Sequence, residues 1–305
     1  MQIETFFDEP TSTFTYVVFQ PETGDAVVID PVLELDTVEA RVSSGPVEKV
    51  VAFLQEKGLK LHLILETHAH ADHLSGAQEL RSRFPGSRLA IGRRITEVQQ
   101  VFKGVFELPE DFLTDGSQFD LLLEDGEIVE AGGLGFEVIF TPGHTPACVT
   151  YRFGDAVFTG DTLFMPDMGT GRCDFPGGSA TALYTSITER LYTLPEETRV
   201  FVGHDYRPGG RELAWETTIG EEKAANIQLP ASRSEEEFVE FRTTRDAGLS
   251  SPRLLFQSVQ VNVGGGRLPR FLKIPVNVFR PEAAPSQEEA SSITEEPVAP
   301  SEARV

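Results

Sequence analysis

The chain has 305 residues, 40% of them hydrophobic, with 48 acidic residues against 26 basic and a formal net charge of −22. That composition suits a globular chain with a sizeable core, and its field would repel phosphates, which excludes nucleic acid and anionic membrane surfaces as partners. Two cysteines, Cys148 and Cys173, are too few for a disulfide-built or four-thiolate zinc scaffold, no run of about 18 apolar residues offers a bilayer span, and no basic region precedes an apolar stretch after Met1, so a soluble cytoplasmic protein is expected.

Residues 12–30 read as a hairpin: Thr15-Tyr-Val-Val-Phe19 and Ala26-Val-Val-Ile29 are β-branched and aromatic, and Pro21-Glu-Thr-Gly-Asp25 supplies the turn. From Val47 to Lys57 apolar residues recur at helical spacing and end at Gly58. Leu61-His-Leu-Ile-Leu65 is a short strand, followed by a helix over Ser75 to Phe84. Leu89-Ala-Ile91, Ile128-Val129 and Phe136 to Phe140 read as strands, and Thr150 to Phe153 pairs with Ala156 to Thr159 across Gly154-Asp155. Ser179 caps a helix reaching about Tyr192, Arg199-Val-Phe-Val202 is a strand, and Ser234-Glu-Glu-Glu237 is a capping box that opens a further helix. Val259-Gln-Val-Asn-Val263 alternates like a strand before the flexible Gly264-Gly-Gly266. Strands grouped in hairpins with helices between them predict sheets covered by helices. From Pro281 four prolines, six acidic residues and one basic residue leave too little to bury, so a disordered acidic tail is expected over 281–305.

Three of the six histidines fall in His68-Ala-His70-Ala-Asp72-His73, a pattern that composition alone would produce in about one chain in ten thousand. The segment follows a strand and so sits at a sheet edge. In an extended stretch His68 and His70 point the same way, and helix onset would turn Asp72 and His73 toward the same point. His144 in Thr141-Pro-Gly-His-Thr-Pro146, Asp161 in Phe158-Thr-Gly-Asp and His204 in Val202-Gly-His-Asp205 occupy small-residue turns after strands. One such histidine alone is usually a structural hydrogen-bonder. Strand ends gather on one edge of a sheet, however, so these segments bring five histidines and two aspartates together, against the three or four donors a metal needs. His62, inside an apolar strand, is assigned to packing.

The order His-x-His-x-Asp-His, Pro-Gly-His-Thr, Gly-Asp, Gly-His-Asp, at spacings of 76, 17 and 43 residues, resembles the metallo-β-lactamase superfamily over about residues 10–227. The resemblance implies an α+β fold, a four-layer αβ/βα sandwich, with a catalytic domain at 1–230, a C-terminal extension at 231–280 packing on it, and the tail at 281–305. Such a fold does not fix the reaction. Two branches keep all these ligand-type residues. Glyoxalase II hydrolyses a glutathione thioester at a binuclear metal centre. Persulfide dioxygenases, the ethylmalonic-encephalopathy-protein-like branch, use iron and O2 to oxidise glutathione persulfide to sulfite and glutathione. The stretch Met165-Pro-Asp-Met-Gly-Thr-Gly-Arg172-Cys-Asp174-Phe-Pro-Gly-Gly178 is similar to the bacterial dioxygenase loop, as is the run from Gln260 to Asn277. Glu221-Glu-Lys-Ala-Ala-Asn226 lacks the Pro-Phe and the Arg of the glyoxalase II Asn-Pro-Phe-x-Arg stretch.

The dioxygenase resemblance implies one Fe2+ per chain held by His68, His144 and Asp161. Two imidazoles and a carboxylate form a facial triad, leaving three positions for water, O2 and a substrate sulfur. His70, Asp72, His73 and His204 would then orient ligands, or form a second metal site in the hydrolase branch; Asp72 and His73 are also the catalytic candidates. Arg172 is the expected clamp for a glutathione carboxylate, Asp174 orients it, and Tyr206 matches a substrate-contacting position. Cys173 is read as a structural loop cysteine. Expected partners are glutathione persulfide and O2. A rhodanese-type sulfurtransferase as persulfide donor and a homodimeric assembly are left open.

Overall fold

In the computed structural model, residues 1–276 are described. The expected tail at 281–305 and the last residues of the extension lie outside them. From the N-terminus the chain forms β1 (Gln2–Asp8), β2 (Thr13–Gln20), β3 (Asp25–Ile29), β4 (Val32–Asp36), β5 (Arg41–Ser43), α1 (Gly45–Glu56), β6 (Lys60–Glu66), β7 (Leu74–Ser75), α2 (Ala77–Arg83), β8 (Arg88–Gly92), α3 (Ile95–Val105) and β9 (Leu121–Leu123). There follow β10 (Ile128–Ala131), β11 (Leu134–Phe140), β12 (Val149–Phe153), β13 (Ala156–Phe158), α4 (Ala180–Thr185, continued as a π-helix over Ser186–Leu191), β14 (Arg199–Phe201), β15 (Glu216–Thr218), α5 (Ile219–Ala225), α6 (Glu235–Ala247) and α7 (Leu255–Asn262).

One six-stranded sheet has the order β1-β2-β3-β6-β8-β9, antiparallel through β3 and parallel beyond it. The other runs β10 to β15 in sequence order, antiparallel except for β13 beside β14. A small third sheet joins β5, β4 and β7. The two-residue period of a strand divides the first sheet's side chains between two cores. Phe14, Tyr16, Val18, Val27, Ile29, Leu63 and Leu65 cluster with Phe136, Val138, Tyr151, Phe153 and Phe158 of the second sheet. Val17, Phe19, Ala26, Val28 and Ile64 cluster instead with residues of α1, α2, α3 and α7. β3 and β6 are thus covered on both faces, which is why they read as near-continuous apolar runs. Each fully buried side chain of this kind contributes about 1.5–3 kcal/mol by leaving water. Leu183 of α4, Ile187 and Leu191 of the π-helix and Phe238 of α6 join the inter-sheet cluster. The result is the αβ/βα sandwich. Among the described residues no helix is long and apolar enough to cross a membrane.

The structure departs from the sequence expectations in particular places. Val259 to Val263 is not a strand: α7 spans Leu255–Asn262 and Val263 caps it. Every residue from Ser258 to Val263 is buried, so the helix shows no polar face to betray a 3.6-residue period. Its alternating Gln260 and Asn262 are polar because they make buried hydrogen bonds, Gln260 to the Lys273 carbonyl and Asn262 to the histidine loop. His62 is not packing: it is half-buried, with Nε2 2.6 Å from Asp25 Oδ1. Asp72 and His73 sit in a bend, and α2 starts only at Ala77.

Candidate metal centre

Each candidate ligand follows a strand: the histidine loop follows β6, His144 follows β11, Asp161 follows β13 and His204 follows β14. His68 Nε2 and His144 Nε2 lie 3.9 and 3.6 Å from Asp161 Oδ2, and the ligand atoms of these three residues fall within 4.8 Å of one another. The other oxygen, Asp161 Oδ1, is 3.2 Å from His204 Nε2, which is 3.4 Å from Asp72 Oδ2. His70, Asp72 and His73 make a second group within 4.8 Å. All seven residues therefore meet at one edge of the sandwich, with Asp161 between the two groups. Gly171 admits this packing: a Cβ there would lie 1.9 Å from the Asp161 carbonyl oxygen, so only glycine lets the loop cross behind the carboxylate.

These residues fit a divalent metal. His68 Nε2, His73 Nε2, His204 Nε2 and Asp161 Oδ1 are buried without a hydrogen-bond partner, a costly condition unless an ion completes them. Separations of 3.6–3.9 Å are too long for hydrogen bonds and suit donors gathered around one centre. Burial, reinforced by neighbouring His70, holds the His68 imidazole well below its usual pKa, and burial lowers His73 to about 4, so both are neutral and ready to ligate. Burial alone would raise Asp161, but His204, His68 and His144 overcome it and keep the carboxylate ionised. The converse holds for His204, where Asp161 and Asp72 outweigh burial and raise the pKa to about 9. His144 is oriented by its Nδ1, 2.7 Å from the Arg172 carbonyl, and His68 by Thr67 Oγ1, 3.0 Å from its Nδ1.

Three polar residues behind the centre have no role in the sequence reading. Asp30, in a left-handed backbone conformation (φ 49°), accepts from the Thr67 amide at 2.7 Å and its hydroxyl at 2.8 Å, and lies 3.0 Å from His70 Nε2. Glu66 Oε2 lies 3.6 Å from the same nitrogen, and Ser75 donates to Glu66 Oε1. Asn262 of α7 donates to the His70 and His73 carbonyls, both at 2.8 Å, and accepts from the Ser75 amide at 2.9 Å. Asp30 and Glu66 flank the strands that lead to the site, and their charge in apolar surroundings is the signal that could have found them. Nothing comparable marks Asn262, which arrives from about 190 residues away.

A cavity of about 510 Å3 opens onto Asp72, His144 and Asp161. Phe164, Met168, Phe175 and Tyr206 line it, and Tyr206 stacks on His204 with ring centres 5.6 Å apart. Arg172 also lines it, but its fork is occupied: Nε and Nη2 each donate to Asp174 at 2.6 Å, and Nη1 donates to the Ser250 carbonyl at 2.7 Å. Asp174 therefore holds Arg172. Burial raises both thiols, Cys148 to about 12, which opposes a redox role for either.

Residues 8–204 match the metallo-beta-lactamase superfamily. A probable metallo-hydrolase of Burkholderia pseudomallei is 43% identical over 296 residues, covering 92% of this chain and all of that protein. The human mitochondrial persulfide dioxygenase ETHE1 is 34% identical over 266 residues, covering 87% of this chain and 88% of that one. The crystal structure of ETHE1 from Myxococcus xanthus superposes with a TM-score of 0.70 at 33% identity, covering 88% of this chain and all of that chain. Longer relatives, described as beta-lactamase hydrolase-like proteins, extend beyond this chain, which spans 65% of their length. A sandwich with its histidines and aspartates at the strand ends, matched over most of its length by these proteins, belongs to the metallo-β-lactamase superfamily, in its ETHE1-like branch.

Proposed function

We propose that the protein is a persulfide dioxygenase that converts glutathione persulfide and O2 to glutathione and sulfite at a single Fe2+. The observation that carries this reading is the convergence of two imidazoles and one carboxylate, His68, His144 and Asp161, beside a cavity large enough for a small thiol, whose wall His144 and Asp161 line. The likeness to persulfide dioxygenases, at 34% identity over 87% of the chain, supports the choice of reaction. In balance, RSSH, O2 and H2O give RSH, SO3 2− and two protons; the S–S bond breaks and four electrons pass from the persulfide to O2.

His68, His144 and Asp161 would hold the iron, which when bound supplies redox chemistry and an affinity for anionic sulfur. The chain's own groups do the rest. Phe164, Met168 and Phe175 give the cavity an apolar wall, and Tyr206 forms part of that wall beside His204. Asp72, which lines the cavity 3.4 Å from His204, is the group able to hold or move a proton beside the reacting sulfur, and buried His73 adjoins it. Arg172, braced by Asp174, borders the substrate. On this reading the protein works in the cytoplasm, and a rhodanese-type sulfurtransferase is a suitable source of persulfide.

The second reading is a binuclear hydrolase of a glutathione thioester. It is favoured by the second donor group, His70, Asp72 and His73, and by the hydrolase-like Burkholderia relative. Metal analysis combined with O2 uptake on adding persulfide separates the two. One iron per chain with O2 uptake is expected; two metals, thioester hydrolysis and no O2 uptake would select the hydrolase. Zinc lacks redox chemistry, so the zinc-loaded protein should be inactive with persulfide.

A further inference from the structure

His70, Ala71, Asp72 and His73 lie outside helix and strand, and all but Asp72 are buried. A buried backbone with no ladder to join must find its hydrogen bonds elsewhere. Asn262, the last residue of α7 and only 4% exposed, supplies them. Its Nδ2 donates to the His70 and His73 carbonyls, both at 2.8 Å, and its Oδ1 accepts from the Ser75 amide at 2.9 Å. One carboxamide thus closes both ends of the segment 70–73. The reversed amide would set its oxygen against two carbonyls, so the network itself fixes the orientation.

The side chains carried between the clamped carbonyls are the second donor group, His70, Asp72 and His73. Asp72 Oδ2 reaches 3.4 Å from His204 Nε2 and lines the cavity. His73 turns Nδ1 to the Leu74 carbonyl at 3.1 Å, which leaves Nε2 buried and unpartnered. The clamp is itself held fast. Val261 and Val263, on either side of Asn262, are buried in one cluster with Leu74 and Ala77. Gln99 of α3 donates to the Val263 carbonyl at 2.8 Å, and Gln78 of α2 to the Gly265 carbonyl at 2.6 Å.

We propose that Asn262 is a positioning residue of the metal centre: it sets the backbone of 70–73 so that His70 and His73 join the donor cluster and Asp72 faces the cavity. Helix α7 is then part of the framework of the site and not only a cover for the sheet. This rests on the metal-centre part of the proposed function and not on the reaction, since 70–73 shapes the site whether its side chains ligate a second ion or orient the ligands of one.

The test is binding of Co2+ to the metal-free full chain, read by its affinity and by its visible absorption, which follows donor number and geometry. Asn262→Ala removes both donors and the acceptor, and should weaken Co2+ binding about tenfold and change the absorption bands, as for the loss of a group that orients ligands. Asn262→Ser keeps a hydroxyl at the site and should act in the same direction; it carries the test if the alanine protein does not fold. Leu54→Ala is the control for stability alone. Leu54 is fully buried on α1 beside the start of β6, the end of that strand remote from the histidine segment, so this variant should melt lower yet keep wild-type affinity and absorption. Wild-type affinity and bands in both Asn262 variants, whatever their melting temperatures, overturn the proposal. So does an equal loss of Co2+ in Leu54→Ala, which would make the effect one of general stability. Failure of the wild-type protein to bind Co2+ would refute the metal centre and this proposal with it. Co2+ binding that depends on Asn262, in a protein whose iron form takes up no O2 with persulfide, would refute the dioxygenase and leave the positioning role standing.

Discussion

Arg242→Met removes a guanidinium that is 2% exposed and leaves an unbranched side chain of similar reach in its place. Nε and Nη2 of Arg242 donate to Asp246 Oδ1 at 3.0 and 2.5 Å, and Nη1 donates to Gln228 Oε1 at 2.7 Å and to the Thr170 carbonyl at 3.2 Å. Without it Asp246, itself 3% exposed, keeps only the Cys173 amide at 2.7 Å. Breaking a buried pair by removing one partner costs about 3–5 kcal/mol, because a desolvated charge is left behind. At roughly 2–2.5 °C per kcal/mol, the low end for a long chain, the melting temperature should fall by about 6–12 °C. Scanning calorimetry at one fixed scan rate measures this even where unfolding is irreversible. Arg242→Met combined with Asp246→Asn should recover at least half of the loss, since Asn still accepts from Cys173 and carries no charge. A fall below about 2 °C in the single variant, or a double variant no more stable than the single, would refute the argument from buried charge.

The ligand-type residues should respond unequally: alanine at His68, His144 or Asp161 should abolish iron retention and O2 uptake together, whereas His70→Ala and His204→Ala should weaken them by about 10–100-fold, read by metal analysis. Equal loss of metal in both sets would mean a second ion. Burial raises the Glu222 carboxyl to about 8 from an unfolded value of 4.5, so the folded chain keeps a proton that the unfolded chain releases, and stability falls as pH rises through that window at up to about 1.4 kcal/mol per unit. Glu222→Gln should therefore melt above the wild-type protein at pH 8 and level with it near pH 4.5; parallel melting curves would sink this. Gly171→Ala should lose metal and activity, because its Cβ collides with the Asp161 carbonyl; full metal content in the purified variant would show that the loop can move aside.

Much of the sandwich is legible because its strands announce themselves. Thr15 to Phe19 and Ala26 to Ile29 are rich in β-branched and aromatic residues and end at turn residues, Leu61 to Leu65 is a short leucine- and isoleucine-rich run, and all three fall inside β2, β3 and β6. The capping box at Ser234 is likewise local, and both of its hydrogen bonds form. Elements whose character depends on distant partners are harder to read. β1 pairs along its whole length with β2 yet alternates too weakly to stand out. α3 keeps Ile95, Val98, Phe102 and Val105 at helical spacing, but the sequence reading gives it no element. α7 is misread because its surroundings, not its own sequence, decide that a valine-rich alternating stretch coils.

The gathering of the candidate donors is legible for the same local reason: each follows a strand, and the strands of two stacked sheets end at one edge. The C-terminal wall of the cavity is built differently. Arg245 lies three residues beyond Arg242 on α6, so the two occupy neighbouring positions on one helix face. Arg242 fixes that face against Thr170, and Arg172 fixes the following segment through the Ser250 carbonyl. Arg253 comes three residues after Ser250. Thr170 and Arg172 flank Gly171, whose backbone lies against Asp161. One short loop therefore positions the candidate-ligand carboxylate on one side and the arginine-bearing C-terminal residues on the other. The position of the C-terminal residues relative to Asp161 is set by that loop, which is why residues 231–276 form a wall of the cavity as well as a cover for the core.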